Sequence, residues 1–298
     1  MKKLINFALI SPLLLFDCSA IDNNSNKESQ SVPEEMPASK YVGQGFQPKA
    51  EKSAIEYAKK HRKEYEKLGE QFFKDNFSLN VKATNVVGSG DGVEVFVHCD
   101  DHDIVFNASI PFDKESIHEK GSMRSYDNGD DMSTMVSTVL SGFEYRYQKE
   151  KYDNLTKYFK ENEKKYHYTG FTSKAIYKTQ NAGYQNNYYY IAGDITNLTN
   201  YRKYYEPLIK KEDSEFKLGM KQAYNATNYK GKTDIVSTLF STKKNFTKNN
   251  SVDDVIKMSD EVEKHDNFPN KVEYTIQLGK SSINTKNPLY DDIDPIGG

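Results

Sequence analysis

The chain lacks tryptophan altogether and carries only two cysteines, Cys18 and Cys99, in 298 residues. Two thiols in such different settings cannot supply the paired framework of a disulfide-stapled domain. No basic block is present either: 41 Lys and Arg face 43 Asp and Glu, a formal charge of −2. A nucleic-acid partner therefore has no electrostatic footprint to meet. The most apolar stretch, Leu4–Phe16, covers thirteen residues, against the roughly 20 that a membrane-spanning helix needs. Missing as well are a Gly-x-Ser-x-Gly elbow and a His-Glu-x-x-His helix, which removes the commonest hydrolase signatures.

What the N-terminus does contain is a leader. Met1-Lys2-Lys3 is positive, Leu4–Phe16 is apolar apart from Asn6 and Ser11-Pro12, and Cys18 follows directly. A charged start, a short apolar core and a boundary describe a secretory signal peptide. The reading is a lipoprotein-type signal over residues 1–17, with Cys18 as the lipidated residue and the membrane reached through that lipid. Leu15 fits the expected lipobox, whereas Phe16 is bulky and Asp17 is charged. Cys18-Ser19-Ala20 also offers a small-x-small site, so a secreted form cut after Ala20 stays open. Residues 18–40 are polar, contain Pro33 and Pro37, and show no apolar period, which predicts a disordered tether.

Beyond the tether the pattern predicts an α+β fold. Ala54, Ala58, His61, Tyr65, Leu68 and Phe72 recur in steps of four and three, giving one long amphipathic helix. Three alternating runs follow, at Leu79–Ala83, Val93–Val97 and Ile104–Ile110, separated by Gly88–Gly92 and Asp100–Asp103. They predict a three-stranded antiparallel meander, so residues 41–120 form an α+β module. Residues 121–279 read as helix-rich with one or two further strands. Helices are expected on the Met132–Tyr147 and Tyr152–Tyr166 stripes, after Thr172, and near 199–209, 213–224, 233–241 and 251–262. Strands are expected at Asn186–Ala192 and Lys271–Leu278. Residues 280–298 read as a frayed tail.

The order of several segments is recognisable. Tyr41-Val42-Gly43-Gln44-Gly45-Phe46, Asn85-Val86-Val87-Gly88, Asp91-Gly92, Val95-Phe96-Val97, Tyr166-His167-Tyr168-Thr169-Gly170, Gly183-Tyr184 and Tyr188-Tyr189-Tyr190 occur behind the leader. Together they resemble a staphylococcal lipoprotein family known as domain of unknown function 1672. The resemblance implies an envelope lipoprotein tethered outside the cytoplasmic membrane, with Cys18 modified. It brings no catalytic residues, because the family has no established activity.

Three constellations invite a chemical reading. His98, Asp100 and His102 alternate along an extended chain and offer two imidazoles and a carboxylate to a zinc or copper ion. The same segment must also reverse the chain between two strands, and Asp favours turns. Gly88–Gly92 lacks the Gly-Lys-Ser/Thr ending of a phosphate loop, and Asp127–Asp131 lacks the closing acid of a calcium loop. Tyr188, Tyr189 and Tyr190 offer rigid rings with polar tips, a surface suited to binding unless it packs inside. The reading is a non-enzymatic envelope protein without a cofactor, with a protein or small molecule as partner. The alternative is a metal-dependent or hydrolytic envelope enzyme built on His98 and His102.

Overall fold

Residues 32–40 are built into the fold instead of extending the tether. The computed structural model describes residues 32–193, 195–227, 233–247 and 251–288, together with the backbone of 296–297; the leader, Cys18 and the tether up to residue 31 lie outside these. Strand β1 (Glu35–Pro37) and a 3-10 turn (Ala38–Lys40) open the described chain. Ala38 and Tyr41 are fully buried, in one cluster with Phe171, Ile176 and Phe240. The polar composition of this stretch hid one buried side chain, Ala38, which packs beside Tyr41, where the folded module was expected to begin.

The expected long helix is two, α1 (Lys52–Lys60) and α2 (Arg62–Phe77), divided at His61 where φ is −110° and ψ is 25°. Hydrogen bonds from His61 N to Tyr57 O and from Tyr65 N to His61 O carry the ladder across the break. His61 packs its ring on Tyr57 at 4.4 Å between centroids. The apolar stripe buries Ala54, Ala58 and Tyr65, then shifts one position along α2, where Gly69, Phe73 and Phe77 are buried and Leu68 and Phe72 are half-buried.

The meander forms as its alternation predicts. Strands β2 (Val81–Ser89), β3 (Gly92–Asp101) and β4 (Ile104–Phe112) pair antiparallel in that order. Asp101 pairs with Ile104, so His102 and Asp103 are the whole turn, with φ of +53° and +60°. Positive φ at both central residues matches the right-handed twist of a hairpin. Pro111 sits on β4, an edge of this sheet, where its missing N–H costs no central ladder bond.

After a 3-10 turn (Lys114–His118), helix α3 (Asp130–Tyr147) crosses β4 and α4 (Lys149–Asn162) follows. The approach of α3 is close: a Cβ on Gly142 would lie 2.9 Å from the Val105 carbonyl oxygen. Strand β5 (Tyr168–Thr169), helix α5 (Ser173–Thr179) and strand β6 (Tyr189–Ala192) come next. Thr172 caps α5 by accepting from Ala175 N. Helix α6 (Leu198–Asn200) runs into a π turn (Tyr201–Tyr205) and a 3-10 turn (Glu206–Leu208), then α7 (Asp213–Ala226).

Residues 233–241, expected as a helix, are strand β7 (Thr233–Ser241). It is central, pairing β6 and β5 antiparallel and β8 (Val272–Gly279) parallel. Ser237, Thr238, Leu239, Phe240 and Ser241 are all buried, so both faces are covered and the period-two signal vanishes. Helix α8 (Val252–Glu263) makes the β7–β8 crossover. The tail is not wholly frayed: β9 (Ser282–Asn284) pairs with β1, and β10 (Ile296–Gly297) pairs with β8. The Tyr41 hydroxyl donates to Thr285 O at 2.8 Å, which clips the two ends of the described chain together.

The expected division near residue 120 is not a break in packing. One cluster joins Val95, Phe106 and Ile110 of the meander to Val139 and Phe143 of α3, Tyr201, and Phe216 and Met220 of α7. A second joins Tyr152 and Phe159 of α4 to Tyr189, Leu239, Ile276 and Met258. Val32–Gly298 is accordingly one compact unit. The class is α+β.

Candidate functional site

Each side chain singled out in the sequence has a definite place. His98 lies on β3 with Nδ1 3.0 Å from Asn107 Oδ1, its ring stacked on Tyr177 at 4.1 Å. His102 is in the turn, Nδ1 2.7 Å from Asp101 Oδ1. The hairpin thus spends one histidine on a strand face and the other on the reversal, and does not gather His98, Asp100 and His102. Among the described residues no group of three or more His, Cys, Asp or Glu side chains could hold a metal ion. Cys99, on the opposite face of β3 from His98, is fully buried, and burial pushes its thiol up to about 12.

The tyrosine run is core. Tyr188 and Tyr189 are buried and Tyr190 is half-buried. Tyr189 donates its hydroxyl to Tyr152 O at 2.8 Å and stacks on the Tyr152 ring. Tyr188 stacks on Phe159 and donates to Glu163 Oε1 at 3.1 Å. The rings that suggested a binding face instead fill the space between α4 and the mixed sheet. Tyr201 and Tyr205 are likewise buried.

The chemistry concentrates around a residue the sequence did not flag. Glu144 lies near the end of α3, in five consecutive buried positions from Ser141 to Tyr145. Three neutral groups donate to its carboxyl. Gln148 Nε2 reaches Oε1 at 2.7 Å, the Tyr152 hydroxyl reaches Oε1 at 3.2 Å, and the Tyr224 hydroxyl reaches Oε2. Desolvation outweighs those donors and raises the carboxyl above its ordinary value. The buried carboxyl is thus held by two tyrosine hydroxyls and an amide, with no cation among those donors.

Glu144 borders a cleft of about 980 Å³. Tyr147 and Gln148 extend its floor at the end of α3. Lys221, Tyr224 and Asn225 of α7 line it. So do Thr233 at the start of β7, Glu263 at the end of α8, and Asn270 to Tyr274 leading into β8. The walls are fixed by named contacts. Arg146 donates to Ile209 O at 2.8 Å and Lys211 O at 2.6 Å, and lies 4.0 Å over the Phe216 ring, which locks α7 against α3. Gln148 Oε1 accepts from Asn270 N at 3.3 Å, and the Tyr274 hydroxyl donates to Pro269 O at 2.9 Å, which hold the loop leading into β8. Tyr147 and Tyr224 meet edge to face at 5.8 Å.

The comparison with known proteins agrees with the fold. The family model described as protein of unknown function (DUF1672) matches residues 28–295. The chain belongs to this family. A DUF1672 family protein from Staphylococcus aureus subsp. aureus Mu50, known from a crystal structure at 1.80 Å resolution, is 57% identical. It superposes with a TM-score of 0.87, covering 90% of this chain and 98% of that one. No curated protein matches. DUF1672 membership thus fixes fold and kinship and leaves the function to be argued from the chain's own residues.

One signal in the sequence pointed to Glu144. It is the only charged residue between Met132 and Tyr145, in a helix segment otherwise apolar or small. A lone acid in such a run either lies on the solvent face or is buried with partners. Gln148, four residues on and therefore on the same face, was the partner to look for.

Proposed function

We propose that this protein is an extracytoplasmic lipoprotein, held at the outer face of the cell membrane through lipidated Cys18. Its folded part works as a non-enzymatic binding domain. The observation that carries this reading is the order Met1-Lys2-Lys3, Leu4–Phe16, Cys18. Two acyl chains on one cysteine give a stable anchor where a single chain gives a marginal one. Among the described residues no helix is long and apolar enough to cross a membrane. The cleft beside Glu144 is where the folded part offers room for a ligand.

Asp17 and the Cys18-Ser19-Ala20 sequence favour a second reading, a freely secreted protein cut after Ala20. Fractionating native-host cells that carry the parent or Cys18→Ala separates the two. The parent is expected in the membrane fraction and the variant outside it; a parent found wholly in the medium rejects the anchor.

A further inference from the structure

We propose that the cleft beside Glu144 is the binding site of this domain, and that its ligand is an uncharged, hydroxyl-rich molecule of several rings, an oligosaccharide. This rests on reading the folded part as a binding domain and is independent of the anchor. Size comes first. Small-molecule sites span roughly 300–1,000 Å³, and at about 980 Å³ this cleft has room for more than one ring.

The lining then selects the chemistry. Most ligand pockets are predominantly apolar with a few polar groups. Here Val272 is the one aliphatic side chain among the lining residues, which disfavours a lipid or other greasy ligand. The exposed lining charges, Lys221 and Lys271 with Glu263 and Glu273, offset one another, so neither a phosphate nor a polycation finds a strong field in them. What remains is a set of groups that donate and accept without net charge: the exposed amides of Asn225 and Asn270, and tyrosine. Tyr147, Tyr224 and Tyr274 add ring faces and edges that pack against C–H surfaces while leaving hydroxyls to polar partners.

Glu144 lines the same cleft. It is anchored on one side by Tyr152 and Gln148 and on the other by Tyr224, so its carboxyl is rigid and costs a ligand little ordering. A ligand with many hydroxyls, each able to donate and accept, matches such a site better than one with a fixed charge.

The test is calorimetric titration of the full chain in detergent with maltotriose and N-acetylated chitotriose. Inorganic phosphate and a mixed-charge tripeptide serve as comparators. The expected result is saturable, one-to-one binding of a neutral trisaccharide, weakened ten-fold or more by Tyr224→Phe and by Asn225→Ala. Asn225 is exposed, so its replacement leaves the fold intact and keeps the test valid if Tyr224→Phe proves unstable. Two outcomes overturn the proposal: no neutral trisaccharide bound at millimolar concentration, or binding that neither variant weakens. Tighter binding of the tripeptide, lost in the same variants, overturns the ligand class while leaving the binding-domain reading standing.

Discussion

The Tyr224 hydroxyl, on α7, donates to the Glu144 carboxyl, on α3. That contact joins two helices across eighty residues of sequence and gives the protein a buried titratable group. Glu144 sits above the usual carboxylate range because it is desolvated. A carboxyl whose folded pKa exceeds its unfolded value of about 4.3 takes up a proton on folding. Its contribution to stability is full below the unfolded pKa and is lost as pH rises through the folded one. Glu144→Gln removes that dependence, so the variant gains on the parent as pH is raised from about 4 towards 8. Urea unfolding of both proteins across this range reads the difference. A stability difference independent of pH would mean that Glu144 titrates normally.

Tyr189 is expected to behave as a core residue. Tyr189→Ala removes a buried ring and costs about 3–5 kcal/mol by analogy with other large aromatic truncations. Tyr189→Phe keeps the ring but loses the bond to Tyr152 O, costing about 1 kcal/mol. Denaturant unfolding measures both. A loss below about 1 kcal/mol for the alanine variant would contradict the packing around it.

Cys99 should be unreactive in the folded protein. Its thiol is fully buried, pushed up to about 12, and directed at Asn80 O. The thiolate is the reactive form, so at pH 8 alkylation proceeds through unfolding. Iodoacetamide labelling mapped by peptide mass is expected to leave Cys99 unmodified in native buffer and modified in urea. Rapid native labelling would contradict the burial.

Gly142→Ala tests the close crossing of α3 over β4. The added methyl would lie 2.9 Å from Val105 O and 3.0 Å from Ile104 Cγ2. Neither neighbour can yield easily, because both belong to the paired strand. A loss of about 1–3 kcal/mol is expected, despite the better helix propensity of alanine. An unchanged or raised midpoint in thermal unfolding would show that the strand gives way.

Much of this architecture was legible in the sequence where one face alone is buried. The α1–α2 stripe and the β2–β4 meander have apolar periods that match their geometry, and both formed. Legibility failed where burial is two-sided. Strand β7 lost its alternation because Thr238 and Phe240 are covered as fully as Leu239, and its pattern passed for a helix. It failed again at the ends, where β1 and β9 are three residues each and stand only because each finds the other. The tyrosine run pointed inward for the same reason: Tyr188 and Tyr189 serve a sheet covered by α4. Glu144 was visible only as a lone acid in an uncharged run. Its meaning depended on Tyr224, eighty residues away, and no local pattern could supply that partner.

The proposal that the protein is lipid-anchored is tested most directly by the intact mass of the mature chain purified from its native host. The expected species begins at Cys18 and carries a diacylglycerol. A mature chain beginning at Ile21 with no added lipid, or an uncleaved chain beginning at Met1, would contradict it.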